Sequence, residues 1–308
     1  MINNSIVIAT RGSQLALWQA NHVKSLIESH YPDYKVTIKV MKTTGDRILD
    51  RPLADIGGKG LFVKEIEQAI ISHEADIAVH SMKDVPILLA DGLEICTVLV
   101  RQLPNDAFLS LKYNSIDELQ NGAVVGTSSL RRKLQLLAIK PNLSIKDLRG
   151  NVDTRIRKLE SGEYDAIILA QAGLNRLGLT EHIKETISTD TILPAACQGA
   201  LGVEARSDDK QMLELLAPLK SPEAELTTIA ERAFLIKLNG GCQVPIACYA
   251  NITNGKMCVA GYLASLDAKL VIKREVSGRA SDAGQLGDEL ANMVLADGGD
   301  KLLMGLNG

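Results

Sequence analysis

Aromatic residues are scarce in this chain, 3% of its 308 residues, and basic residues are not in excess, since the formal net charge is −3. Proteins that grip nucleic acid usually present a basic face and rings on which bases stack, so a nucleic-acid partner is not expected. Long apolar runs are lacking too. No stretch approaches the roughly 20 residues of a membrane span. MINNSIVIATRGSQ has neither a basic start nor an apolar core long enough for a signal peptide, which predicts a cytoplasmic protein with no membrane partner. The five cysteines, Cys96, Cys197, Cys242, Cys248 and Cys258, are odd in number and form no C-x-x-C pair, and none of the five histidines is spaced H-x-x-x-H. Neither a disulfide framework nor a metal site is therefore expected. Nucleotide loops are missing as well. GGKG would need glycine at position 53 to be a P-loop, where Leu53 stands, and CQGALG opens on Cys197 where G-x-G-x-x-G requires glycine.

What is present is an ordinary globular composition, 46% hydrophobic and 23% charged, in a chain long enough for two or three domains. SIVIAT reads as a buried strand. RGSQLALWQANHVKSLIE after it carries Leu15, Trp18, His22 or Val23, and Leu26 at helical spacing. GAVVGTSSLRRKLQLLAI repeats that grammar with a strand, a Thr-Ser-Ser turn able to cap, and a helix striped by Leu130, Leu134 and Leu137. A second echo joins VKEIEQAIISHEADIAVH to TRIRKLESGEYDAIILAQ, each a helix, a polar link, Glu-x-Asp and an apolar strand. Helices alternating with apolar strands predict two α/β domains, their parallel sheets covered on both faces, around a cleft lined by strand C-termini. Beyond Ser221 the pattern changes. Ser221-Pro222 opens a helix, Asn239-Gly240-Gly241 ends it, Asn254-Gly255 makes a hairpin turn, and a last helix starts near Asp282. This predicts a small α+β third domain with an antiparallel sheet. KTTGDRILDRPLADIGGKGLF lacks periodicity and reads as a long loop of the kind that closes over sites.

The arginines lie in unusual places. Arg131 and Arg132 fall in the first turn of their helix, where the dipole disfavours a cation by roughly 0.3–1 kcal/mol each. Arg11 stands at the corresponding turn beside Gly12 and Ser13, and Arg149 and Arg155 flank another helix start. With the hydroxyls of Ser13, Ser128 and Ser129 and open helix N–H groups, five such arginines make a site for several carboxylates or phosphates. A solvated face with local ion pairs would explain one arginine better than five. In LNGGCQVPIA, Gly240 and Gly241 leave the sulfur of Cys242 approachable, so a reactive or modified thiol stands level with a small buried hydrophobe. Cys197 is a weaker candidate, and Cys96, Cys248 and Cys258 read as core. AVHSMKDVP delivers Lys83 and Asp84 side by side after a buried strand. Neighbours on a strand point to opposite faces, so both serve one site only if the chain leaves β geometry before Pro86. The alternative is an exposed ion pair between them.

RGSQLALWQ, GGKGLFVKEIE, AVHSMKDVP, GTSSLRRKLQL, RGNVDTRIRKL, ILPAACQGALGVE, AERAFL and GGCQVPI together resemble the hydroxymethylbilane synthase, or porphobilinogen deaminase, family, in order along nearly the whole chain. The resemblance implies two α/β domains similar to type II periplasmic binding proteins, residues 1–99 with 200–217 and residues 105–193, and a third domain over 222–308. It implies a monomeric enzyme that condenses four porphobilinogens head to tail into hydroxymethylbilane and releases ammonia. A dipyrromethane cofactor, joined by a thioether to Cys242, would prime the chain. By motif match Asp84 is the catalytic residue, whose charge would stabilise the cation left by deamination. Lys83, Thr127, Ser128, Ser129, Arg131, Arg132 and Arg155 would hold the cofactor, and Arg11, Ser13, Gln19, Arg149, Arg155 and Gln198 the substrate, joined by Lys59 and Phe62 of the glycine-rich loop. Two positions depart from the family pattern, Cys197 for glycine and Asn239 for an acidic residue. A solute-binding protein on the same scaffold would explain the arginines but not Cys242, and a lysine Schiff-base enzyme has no cofactor motif beside Lys83.

Overall fold

The computed structural model describes residues 4–44, 63–240 and 244–306. The chain forms two compact units, Met1–Arg101 with Ala200–Glu225, and Gln102–Gly199 with Leu226–Gly308.

In the first unit, strands β1 (Ser5–Arg11), β2 (Lys35–Met41), β3 (Ile77–Ser81), β4 (Leu93–Val98) and the returning β10 (Leu201–Arg206) make one sheet in the order β2-β1-β3-β10-β4. In the second, β5 (Asp106–Ser110), β6 (Val124–Gly126), β7 (Ser144–Lys146), β8 (Ala166–Ala170) and β9 (Glu185–Thr186) lie in the order β7-β6-β8-β5-β9. The two orders are one pattern, with three parallel strands followed by an inserted antiparallel one, β10 or β5. The sheets are therefore mixed, not wholly parallel as expected from the helix-strand alternation. A strand whose connection does not cross over the sheet beside its neighbour is free to run the other way.

Helix α1 (Gln14–His30) packs Ala20, Val23 and Ile27 on the face carrying Ile6, Ile8, Ile77 and Val79. The expected stripe is rotated. Gln19 is buried with these residues, while His22 is exposed and stacks on Trp18 with ring centres 5.0 Å apart. Helix α2 (Lys64–Ile71) covers the other face, where Ile66 and Ile70 meet Ala9 and Ala78. The Glu-x-Asp echo has a structural meaning. Asp76 Oδ2 accepts the N–H of Val7 at 2.7 Å, and Asp165 Oδ2 accepts that of Val124 at 2.8 Å, so each aspartate holds the residue one position before its own strand comes into register with the neighbouring parallel strand. In the link before each aspartate the chain turns through positive φ, at His73 (58°) in one copy and at Gly162 (80°) in the other.

In the second unit, helices α3 (Leu130–Ile139), α4 (Val152–Glu160) and α5 (Gln171–Leu177) accompany the sheet. After α6 (Lys210–Leu216) in the first unit comes α7 (Pro222–Lys237), which Ser221 Oγ caps at the N–H of Ala224 and Asn239 closes with φ 48°. Asparagine is the residue after glycine that best tolerates that conformation. Strands β11 (Ile246–Thr253), β12 (Lys256–Ala264) and β13 (Val271–Arg279) form the antiparallel sheet, with Asn254 and Gly255 both at positive φ in its first hairpin. A Cβ on Gly261 would lie 2.9 Å from the buried Phe234 ring of α7, so the glycine lets the helix sit on the strand. Helix α8 (Ala283–Val294) follows, then a kink at Gly298 and α9 (Asp300–Leu306). Leu134 of α3 and Leu193 share a core with Ala247, Tyr262 and Ala264 of this sheet.

Candidate active site

Strand β3 ends at Ser81, and Met82–Asp84 wind into a single 3-10 turn before Pro86. The segment has left β geometry, the condition under which Lys83 and Asp84 can serve one site. Met82 is buried, Lys83 half-buried and Asp84 exposed. Beside this turn, Arg11 closes β1 and Ser13 is the N-cap of α1, its Oγ accepting the N–H of Ala16 at 3.3 Å. A cavity of about 90 Å³ is lined by Arg11, Ser13, Gln19, His80, Ser81 and Asp84 among others. Buried Gln19 donates from Nε2 to Ser81 Oγ at 2.8 Å, which ties α1 to the end of β3. Four of the predicted site residues, Arg11, Ser13, Gln19 and Asp84, thus surround one cavity of the first unit, and Lys83 precedes Asp84 in the same turn.

In the second unit the turn after β6 does similar work. Thr127 is buried and its Oγ1 accepts the N–H of Ser129 at 3.2 Å. Ser128 Oγ donates to the Leu148 carbonyl and accepts the Leu148 N–H, both at 3.0 Å. That exchange sets the start of α3 beside the turn carrying Arg149 and Gly150, which leads into α4. Arg155 Nε donates to the Gly150 carbonyl at 2.8 Å. Ser129 is the N-cap of α3 yet makes no side-chain capping bond. The α3 start therefore presents a hydroxyl where anions favour binding.

Arg131 and Arg132 are not on an open face. They are 4% and 7% exposed, and the acid that compensates their position is in the chain itself. Arg131 Nη2 and Arg132 Nη2 donate to the two oxygens of Asp106 at 2.8 and 2.7 Å, and Gln198 Nε2 adds a third bond at 2.8 Å. Their Nη1 groups donate to the carbonyls of Leu193 and Ile168. Burial opposes ionisation of Asp106, but the two guanidinium charges and the bonds from Arg132 and Gln198 outweigh it and hold the carboxyl well below its usual range. One anion thus answers two cations. Arg176, 6% exposed, donates from Nη2 to the Gly199 carbonyl, next to Gln198, and burial pushes its guanidinium down to about 10. The Nε atoms of Arg132 and Arg176 are buried without a hydrogen-bond partner. Surplus positive charge and orphaned donors suit an oligocarboxylate, so the residues present fit a dipyrromethane bearing acetate and propionate groups.

Cys197 has φ 61°, the left-handed conformation in which glycine would sit without strain, and its N–H donates to the buried carboxylate of Glu231, whose other oxygen accepts the Ala250 N–H. Among the remaining thiols, Cys96 and Cys248 are buried, and Cys258 is half-buried. Cys242, Lys59 and Phe62 lie outside the described residues. Asp106, Arg176, His80 and Glu204 were not singled out from the sequence. The available signal was a lone charge within an apolar run, as in DAFLS and LGVEA, which must find a partner if the run is buried. Among the described residues no helix is long and apolar enough to cross a membrane, and no cluster of histidine, cysteine and carboxylate could hold a metal.

Comparisons with known proteins agree along the chain. The family model described as porphobilinogen deaminase, dipyromethane cofactor binding domain, matches residues 6–214, and that of the porphobilinogen deaminase C-terminal domain matches residues 225–296. A porphobilinogen deaminase of Maridesulfovibrio salexigens is 50% identical over 298 residues, 97% of each chain. Solved structures with likeness include a periplasmic substrate-binding protein of an ABC transporter from Coxiella burnetii, 15% identical over 71% of this chain and 94% of that one, with a TM-score of 0.44. Another is a nutrient binding protein from Burkholderia cenocepacia bound to methionine, 14% identical over 75% and 95%, with a TM-score of 0.43. On two family models and a half-identical relative of matching length, the chain belongs to the porphobilinogen deaminase (hydroxymethylbilane synthase) family.

Proposed function

We propose that Asp84 is the catalytic group of this enzyme and that the arginine-rich turns grip the carboxylates of its growing product. The activity is the condensation of porphobilinogen into hydroxymethylbilane in tetrapyrrole synthesis, with a dipyrromethane cofactor. When bound, that group supplies the primer to which substrate units are added. The observation that carries the residue assignments is the 3-10 turn bringing Asp84 to the rim of a cavity shared with Arg11 and Ser13. A fixed carboxylate stabilises positive charge arising when the substrate loses ammonia, without reorganisation at the moment of reaction. Arg11 and Ser13 orient substrate carboxylates and Lys83 a carboxylate of the cofactor, with Gln19 holding the end of β3 in place. Thr127, Ser128, Ser129, Arg149 and Arg155 build the second set of contacts. Arg131 and Arg132, braced by Asp106 and Gln198, contribute the excess charge and the free Nε of Arg132. Cys242 carries the cofactor through its sulfur, and Lys59 and Phe62 approach from the glycine-rich segment.

The division into 1–99 with 200–217, 105–193 and 222–308 belongs to the same reading, supported by a separate sheet in each part. So do a cytoplasmic location and a monomeric state, which the family resemblance implies, and the lack of nucleic-acid contacts, supported by the net charge of −3 and the 3% of aromatic residues. Asp84→Asn tests the catalytic assignment. The variant keeps its fold and its cofactor but loses turnover by about 100-fold or more. Turnover close to that of the unaltered enzyme would return Asp84 to an ordinary surface position.

A further inference from the structure

The wall of the Asp84 cavity contains a buried acid–imidazole pair that the family assignment leaves unused. His80, 8% exposed, lines the cavity one residue before Ser81, and its Nε2 lies 2.8 Å from Oε2 of Glu204, which is fully buried. The pairing follows from the sheet. His80 is opposite Gly202 and Ala78 opposite Glu204 on antiparallel β3 and β10, so imidazole and carboxylate are diagonal neighbours on one face. Gly202 contributes space, since a Cβ there would lie 2.1 Å from Met82 Sδ. Glu204 Oε1 has no hydrogen-bond partner, so the carboxylate has capacity beyond the single bond it makes. Glu67 of α2 approaches the same pair. Burial first, then the charge of Glu204, raises its carboxyl, while the Ala90 N–H and His80 pull it down. From β1, Arg11 faces the cavity, and Asp84 does so from the 3-10 turn.

We infer that His80, oriented by Glu204, is the proton carrier of the condensation cycle, giving a proton to the amine that departs as ammonia and recovering one from the attacking pyrrole. The inference rests on the reading that the Asp84 cavity is the reaction site. His80 as imidazolium donates to the amine nitrogen as the C–N bond of the aminomethyl group breaks, and that bond's electron pair leaves with ammonia. Neutral His80 then takes the α-proton released when the new C–C bond forms. One proton departs and one returns, with no oxidation or reduction. Histidine suits the task because its ordinary range lies near neutrality, and the contact with Glu204 fixes the orientation of the ring. Asp84 keeps the electrostatic role, so the two groups divide charge stabilisation from proton transfer.

The test uses His80→Asn, Glu204→Gln and Asp84→Asn enzymes as isolated with cofactor, read by intact mass, thermal melting and turnover of porphobilinogen against pH. A nitrogen-15 NMR titration of the unaltered holoenzyme's histidines accompanies them. His80→Asn is expected to retain the cofactor, leave KM unchanged and lose about 100-fold in kcat, with part of the loss restored by added imidazole in His80→Gly. A folded, loaded His80→Asn enzyme with kcat within about threefold of the unaltered one overturns the inference. If that variant does not fold, the titration decides, and a ring that keeps one protonation state across the pH range in which the enzyme turns over overturns it. Loss in Asp84→Asn alongside retention in His80→Asn removes this inference only, whereas retention in Asp84→Asn removes the site reading beneath it.

Discussion

Asp106 is the residue on which the most charge depends, because a single buried carboxylate binds two guanidinium groups and an amide. Removing one partner of such a pair leaves an uncompensated interior charge, at a cost of about 3–5 kcal/mol. The sign of its pH dependence follows from the depressed carboxyl. In the unfolded chain an aspartate takes up its proton near pH 4, and in the folded protein only at lower pH. The stabilisation is therefore complete above about pH 4 and is lost as pH falls from there toward the folded value. Urea unfolding followed from pH 7 to pH 3 should show this acid slope, and Asp106→Asn should be less stable at neutral pH with a shallower slope. Equal slopes in both proteins would contradict the pairing. The arginine anomaly at α3 was legible in the sequence, and so was the need for an anion. The identity of the anion was not, because Asp106 lies about 25 positions away along the chain and reaches the arginines only once β5 is in its sheet.

At the scale of elements the molecule repeats a device. Helix, polar link, Glu-x-Asp and strand recur, and in both copies the aspartate accepts the N–H of a neighbouring strand. The repeat was visible as an echo of residue types, since the link demands a chain reversal and a cap whatever the surrounding side chains. Asp165→Ala should orphan the Val124 N–H and cost about 1–3 kcal/mol, measured as a shift in urea midpoint with unchanged slope. A loss below about 0.5 kcal/mol would show that water replaces the carboxylate. Helix faces were less legible than helix positions. In α1 and α3 the expected leucine stripes are only partly correct, because Gln19, Arg131, Arg132 and Gln135 are buried through hydrogen bonds that periodicity of apolar residues does not register. Strand direction was likewise hidden, as β10 and β5 have the same apolar look whether parallel or antiparallel.

For the whole molecule, two sheets of one pattern and a third antiparallel sheet account for the run of motifs from the first strand to the Asn254-Gly255 hairpin and beyond. Motif order made this architecture legible, because the residues that turn the chain, and those proposed to bind, are concentrated where strands end. The cavity of the first unit and the charged network of the second needed coordinates, since each joins residues from several elements. The proposed function turns on one chemical idea, that an acidic chain grows from a primer fixed to Cys242. The intact mass of the purified protein tests that idea most directly, with Cys242→Ser measured beside it. The account predicts a protein heavier than its sequence by two linked pyrrole units, and a Cys242→Ser protein at its sequence mass. An unaltered protein at sequence mass even after incubation with porphobilinogen, or an adduct that survives in Cys242→Ser, would contradict it.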